Sequence, residues 1–302
     1  MSERVDKKWM EKGLGAYSTE AILGTLSHYG VQVDEAGFKA LADAEAPSPV
    51  AMAQRWSQGW NATGPFGRFP LPAAEALWER WLPERPTPFQ LARELAELLN
   101  ALGRHAREGG PIEAVGEALG RVEALATRAP GKDGVEEAFV DEAFGRLPRE
   151  AGWAFDGATM DLVRREQLDL ASRWAALEER LYPDRKGLAS APVDARRGDR
   201  AEVLGRLVAA GGSDQSDMRR MLALDTLAQM EAWNEVRMIG MPLLDKAEAA
   251  DDFHLALAIC ERLGSALQEL GDQEGLKALE VRRAKIDADH ARAHPGHHHH
   301  HH

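Results

Sequence analysis

Histidine and cysteine, the side chains best suited to acid–base, nucleophilic or metal chemistry near neutral pH, are few in this 302-residue chain. The terminal run 297–302 is six histidines and reads as a purification tag, so it is set aside. Five histidines then remain, His28, His105, His254, His290 and His294, with a single cysteine, Cys260. One cysteine allows no intrachain disulfide and no thiolate zinc cage. Flanked by Leu257, Ile259 and Leu263 at helical spacing, Cys260 reads as a small core residue rather than a nucleophile. Asp251-Asp252-Phe253-His254 brings carboxylates near an imidazole, yet it stands where a helix should start, and an N-cap explains the acids. His28, before Tyr29-Gly30, suits the negative end of a helix dipole. No His-Glu-x-x-His, glycine-rich phosphate loop or Gly-x-Ser-x-Gly occurs. The pairs Glu94/Glu97, Glu113/Glu117 and Glu178/Glu179 are interspersed with arginines, as solvated helix faces are. The chain is therefore read as having no catalytic residue, no metal site and no cofactor.

The least ordinary stretch is 56–81. Trp56, Trp60, Trp78 and Trp81 are four of the eight tryptophans. Gly64-Pro65-Phe66-Gly67 must turn, and a turn carrying aromatic rings beside Arg68 has the make-up of an interface anchor. Trp60, Phe66, Arg68 and Phe69 are accordingly the expected partner-binding residues. The competing reading sends the loop's phenylalanines into the core. Trp78 and Trp81, beside Leu77 and Leu82, are expected to be core.

Charge narrows the partners. The formal net charge is −12, and it is spread evenly: 17 basic against 23 acidic side chains in residues 1–150, and 20 against 26 beyond. A duplex-binding protein needs a basic face to displace counterions from phosphate, so nucleic acid is not an expected partner. The same deficit argues against an anionic membrane surface. No stretch approaches the length of apolar residues needed to cross a bilayer, and no apolar segment follows the charged N-terminus. The expectation is a cytoplasmic protein that binds another protein, for which a basic partner is electrostatically suited.

The elements that must position these residues read as helices. Ala, Leu, Glu and Arg dominate, whereas there are only five isoleucines and three tyrosines, a poor supply for a sheet. Ser18-Thr19-Glu20 and Asp34 are N-cap signals, and Ser48-Pro49 and Thr87-Pro88 put a capping oxygen directly before a proline suited to the first helical position. From Pro88, Leu91, Leu95, Leu98 and Leu102 mark one face; after Gly109-Gly110-Pro111, Ile112, Val115, Leu119 and Val122 mark another. The two should pair antiparallel. Met160, Val163, Leu170, Trp174, Leu177 and Leu181 hold one register with a polar interruption at Gln167. Residues 183–199 combine Pro, Gly, Ser and charge without periodicity and are the expected linker.

Shifting the chain by forty residues superposes Ala223–Leu244 on Leu263–Ala284, matching Leu227 with Leu267, Val236 with Leu276 and Met241 with Val281. Leu263-Gly264, followed by Gly271-Asp272 and the small Ala278 and Ala284, resembles the tetratricopeptide repeat. In that family a small residue lets the two helices of a hairpin approach, and Gly-Asp makes the turn between them. The sequence departs from it at Gly275-Leu276, where a small alanine would stand, and no proline closes the unit. The upstream copy has Glu231-Ala232 in place of Gly-Asp, and Gly198-Asp199 reads as a further degenerate turn. The resemblance implies stacked helical hairpins with a concave surface for peptides or proteins.

Together these features predict an all-α chain: a helical bundle (1–182), a linker (183–199), TPR-like antiparallel hairpins arranged as an α-solenoid (200–290), and a disordered tail with the tag (291–302). The expected function is non-catalytic, that of a bacterial adaptor or regulator binding a partner through a helical groove or the aromatic loop. An alternative is an immunity or antitoxin protein neutralising a basic toxin. Another is an all-helical enzyme or small-ligand binder whose carboxylate/His site assembles only in the fold.

Overall fold

A computed structural model describes residues 3–295. Among these residues there are sixteen α-helices, three short 3-10 turns and no strand, so the chain is all-α. It divides into two compact units, Met1–Ala151 and Gly152–His302.

The first unit holds α1 (Trp9–Lys12), α2 (Thr19–His28), α3 (Glu35–Ala44), α4 (Pro49–Ser57), α5 (Pro70–Trp81), α6 (Pro88–Glu108), α7 (Ile112–Arg128) and α8 (Glu137–Gly145). Their starts follow the capping chemistry. Ser18, Asp34 and Ser48 each accept the backbone N–H three residues on, and Thr87 forms a reciprocal capping box with Gln90. The loop 58–69 ends at Pro70, which opens α5 two residues before Pro72. The hairpin α6–α7 turns at Gly109, whose φ of 68° suits glycine. Burial of Ile22, Leu26, Phe38, Met52, Phe69, Leu77 and Trp78 joins α2 to α5. An ion pair lies within this unit: Glu75 of α5, 5 % exposed, meets Arg146, whose guanidinium also covers the Phe89 ring at 5.5 Å.

The second unit contains α9 (Glu150–Arg164), whose first turn holds the division, then α10 (Leu168–Leu181), α11 (Ala191–Arg197), α12 (Arg200–Ala210), α13 (Asp217–Gln229), α14 (Trp233–Ala249), α15 (Phe253–Glu269) and α16 (Gln273–Ala293). From α11 onward each helix packs on the next in the chain, a solenoid-like order. Buried Leu207, Leu224, Leu227, Val236, Leu243, Ile259, Leu263 and Leu279 make its core continuous. Gly240 sits where α14 approaches both neighbours, since a Cβ there would fall 2.8 Å from Leu263 Cδ2 and 3.4 Å from Leu224 Cδ1.

Four hairpins share one turn. Glu166, Glu231, Asp251 and Gly271 take φ of 59°, 57°, 53° and 70°. The next amide, of Gln167, Ala232, Asp252 or Asp272, donates back to the carbonyl five residues earlier, at 2.9–3.0 Å. This is the Schellman closure, which satisfies a carbonyl that the helix end leaves free. The last three turns recur every twenty residues, so a helical hairpin spans forty, against thirty-four in a tetratricopeptide repeat.

Three expectations need correction. Met160–Leu181 is not one helix: the interruption at Gln167 is a full turn between α9 and α10, because the left-handed Glu166 reverses the chain. Residues 183–199 are not a linker, for they hold a 3-10 turn (Pro183–Arg185) and α11, with Leu188, Ala191, Pro192 and Val193 buried. The division falls instead near residue 151. Helix α16 continues through Ala293, so the helical array passes residue 290. The tag residues 297–302 lie outside the described part.

Candidate functional site

The four residues expected to bind a partner are placed unequally. Phe69 is fully buried, at 0 % exposed, and meets the Trp9 ring edge-on at 5.4 Å. Trp60 and Phe66 are half-buried against the same core, and the Trp60 indole Nε1 donates to the Phe66 carbonyl at 2.9 Å. Trp60 stacks on Phe69 at 6.3 Å, and Tyr29 sits 5.0 Å from Trp60. These rings hold the loop 58–69 onto the first unit. Arg68 is exposed and has no hydrogen bond or ion pair among the described residues. It lines an apolar groove of about 450 Å³ between α4 and α5, with Val50, Ala53 and Leu71. Trp78 is buried and Trp81 half-buried in the same core.

A different cluster, in the second unit, carries the more pronounced chemistry. Helix α9 supplies Asp156 and Thr159, α10 supplies Glu178, the following 3-10 turn supplies Arg185, and α13 supplies Asp225 and Thr226. These residues, with Leu188, Pro192 and Leu222, surround a cleft of about 80 Å³. Local structure places them firmly. The Trp174 indole Nε1 donates to the Phe155 carbonyl at 3.1 Å, tying α10 to α9. Glu178 lies four residues beyond Trp174 and three before Leu181, so the helix turns its carboxyl to the apolar face. The Gly187 amide donates to Glu179 Oε1 at 2.7 Å, and the Ser190 hydroxyl donates to the same oxygen at 3.3 Å, which fixes the loop after Arg185.

The electrostatics of the cleft are uneven. Arg185 donates to Asp156 Oδ1 at 2.6 Å, approaches Glu178 Oε2 at 3.5 Å and lies over the Tyr182 ring at 4.1 Å. Asp225 is held by Arg262 at 2.7 Å. The Glu178 side chain is 8 % exposed, its Oε1 has no hydrogen-bond partner, and the buried Thr159 Oγ1 has none either. Burial pushes the Glu178 carboxyl up to about 8, with Asp156 adding to the rise and Arg185 opposing it. Glu178 is therefore mostly protonated at neutral pH. Reading Glu178 with Glu179 as a solvated face overlooked that position 178 shares a helical stripe with Trp174, Leu177 and Leu181. That stripe was the available signal.

The remaining chemical residues stay apart from this cleft. Cys260 is buried in the core of the second unit, and burial raises its thiol pKa. Asp252 caps α15 by accepting the Leu255 amide, as the spacing suggests. His254 and His290 pack edge to face at 5.2 Å. Among the described residues, no three His, Cys, Asp or Glu side chains are grouped to hold a metal ion, and no helix is long and apolar enough to cross a membrane. No protein-family model, curated protein or solved structure matches the chain.

Proposed function

We propose that this is a non-catalytic binding protein whose second unit takes a small polar ligand in the cleft between α9, α10, α11 and α13. One observation carries the reading: Glu178 Oε1 and Thr159 Oγ1 are buried in residues lining that cleft, and neither has a partner. An unsatisfied buried polar atom costs about 1–3 kcal/mol, which a ligand that supplies the missing hydrogen bonds offsets. A thermal-shift screen of polar compounds of a few heavy atoms tests it. The expected result is a compound that raises Tm in the parent protein and loses its effect in Glu178→Gln and Thr159→Val. A screen without such a compound, or stabilisation that survives both substitutions, overturns the reading.

A second reading, adaptor binding of another protein, is favoured by Arg68 standing unpaired beside the apolar α4–α5 groove. A cation at the rim of an apolar groove suits an acidic, partly apolar segment. Arg68→Ala is then expected to weaken partner retention from the native host at moderate salt while leaving Tm unchanged. Retention indifferent to Arg68 removes the groove from the account. The tetratricopeptide likeness belongs to this reading as well, resting on the Gly271-Asp272 turn and the stacked hairpins.

A further inference from the structure

We infer that the ligand of the Glu178 cleft is a small organic cation bearing N–H donors, a primary ammonium group being the simplest case. This rests on the binding reading above and adds the ligand's charge and size.

The charges lining the cleft decide the sign. Three carboxyl groups, Asp156, Glu178 and Asp225, face it, against one guanidinium, Arg185. That guanidinium is already engaged by Asp156 at 2.6 Å and by the Tyr182 ring. Asp225 has its own partner in Arg262. Glu178 is left with a single long contact, 3.5 Å from Oε2 to Arg185, and with Oε1 unpartnered. Once Glu178 is ionised the site is short of one positive charge, and Glu178 Oε1 and Thr159 Oγ1 lack hydrogen-bond partners. An anionic ligand would meet three carboxyl groups and a guanidinium that is already occupied. A neutral ligand could donate hydrogen bonds while Glu178 keeps its proton, but it would leave the ionised carboxylate uncompensated as pH rises. An ammonium group supplies both, donating to Glu178 Oε1 and to Thr159 Oγ1, whose hydroxyl oxygen can accept, once side-chain rotation uncovers these buried atoms to the cleft.

Size follows from the volume. A cavity of about 150 Å³ takes a benzene ring, so about 80 Å³ takes roughly three heavy atoms. Ethylammonium fits that limit, and for so few atoms the best attainable affinity is millimolar.

Binding is linked to protons. Without the ligand Glu178 holds a proton at neutral pH, burial being the main cause; Asp156 and Glu179 reinforce this and Arg185 opposes it. Ethylammonium exchanges for that proton: the carboxyl O–H breaks, the proton leaves to solvent, and the ammonium N–H⁺ groups take its place. Affinity is therefore expected to rise roughly tenfold from pH 6 to pH 7 and to level off above about pH 8. The amine itself stays charged throughout.

The test is an amide-detected NMR titration of the full chain with ethylammonium at pH 6, 7 and 8. Tetramethylammonium, which has no N–H donor, serves as the salt control, and acetamide and acetate as neutral and anionic matches. The expected result is ethylammonium binding that strengthens with pH, moves amides of α9 and α10, and fails in Glu178→Gln. If that variant does not fold, the same loss is expected in Thr159→Val. Acetamide or acetate binding better, or ethylammonium binding without pH dependence, overturns the cation inference while leaving the cleft reading intact. No binding by any of the three, together with an empty screen, overturns both.

Discussion

At the scale of single residues, burial raises the pKa of two carboxyl groups, Glu178 and Glu75. Glu178 has its carboxyl raised to about 8 in the folded state, against 4.5 for a free glutamate. A group raised on folding contributes stability that is full below the unfolded pKa and is lost as pH climbs through the folded one. Wild-type stability should therefore fall between about pH 4.5 and pH 8 for this residue alone. Glu178→Gln removes that slope. Urea unfolding at pH 5 and pH 8.5 should show the variant gaining on the parent by on the order of 3 kcal/mol at the higher pH; parallel curves would show that the carboxyl is not buried as described. Glu75 differs because its cation, Arg146, forms a close ion pair with it. Burial raises its pKa, and Arg146 opposes the rise. Arg146→Ala strands a buried carboxyl and should cost about 3 kcal/mol, whereas Glu75→Gln leaves a partly exposed arginine that still has Glu142 within 3.3 Å and should cost less. Equal losses in chemical denaturation would contradict this asymmetry. Both carboxyls could be suspected from register, since Glu178 follows the Trp174–Leu177–Leu181 stripe. The missing oxygen partners could not, because they depend on where α9 and the turn after α10 meet.

At the scale of elements, the turns between helices set the path of the second unit. Glycine at 271 takes its positive φ at no steric cost, whereas Glu231 and Asp251 hold nearly the same angle with a side chain. Gly271→Ala should destabilise by about 1 kcal/mol, and Glu231→Gly should be neutral or gain about 0.5 kcal/mol, the relief of strain being partly offset by the entropy of the unfolded glycine. Urea midpoints measure both, and a stabilising Gly271→Ala would refute the shared turn geometry. The helix starts were readable from local chemistry alone: Ser18, Asp34, Ser48 and Thr87 cap as their types and spacing suggest. Stops at non-glycine residues were not. Glu166 carries no mark that distinguishes it from a helical glutamate, so the boundary between α9 and α10 is not legible in the sequence. The Pro, Gly and Ser content of 183–199 likewise suggested open chain, while burial of Leu188 and Val193 makes it part of a core.

At the scale of the molecule, each unit has its own core. Within the second unit a cluster runs from Leu188 to Ile286, and within the first one runs from Val5 to Leu82. A chain covering 148–295 is therefore expected to fold alone, keeping helical circular dichroism and a cooperative melt. A non-cooperative melt would show that its core is incomplete. Composition and apolar periodicity suffice for an all-α assignment, because both are summed over many residues. The place of division is not legible in that way, since it depends on which helices pack together.

The twenty-residue cadence of turns at Glu231, Asp251 and Gly271 also sets a rule for how this chain can change length. Each turn reverses direction, so one helix more or fewer points the remainder the wrong way, and two restore it. An in-frame duplication of 232–271 adds a complete up-and-down pair and returns α16 to its place at the end with its polar side outward. A duplication of 252–271 alone delivers α16 upside down against a face it does not match. Growth by duplication and shrinkage by deletion are thus expected to be tolerated in steps of forty residues rather than twenty, and circular dichroism melts of such variants would check it.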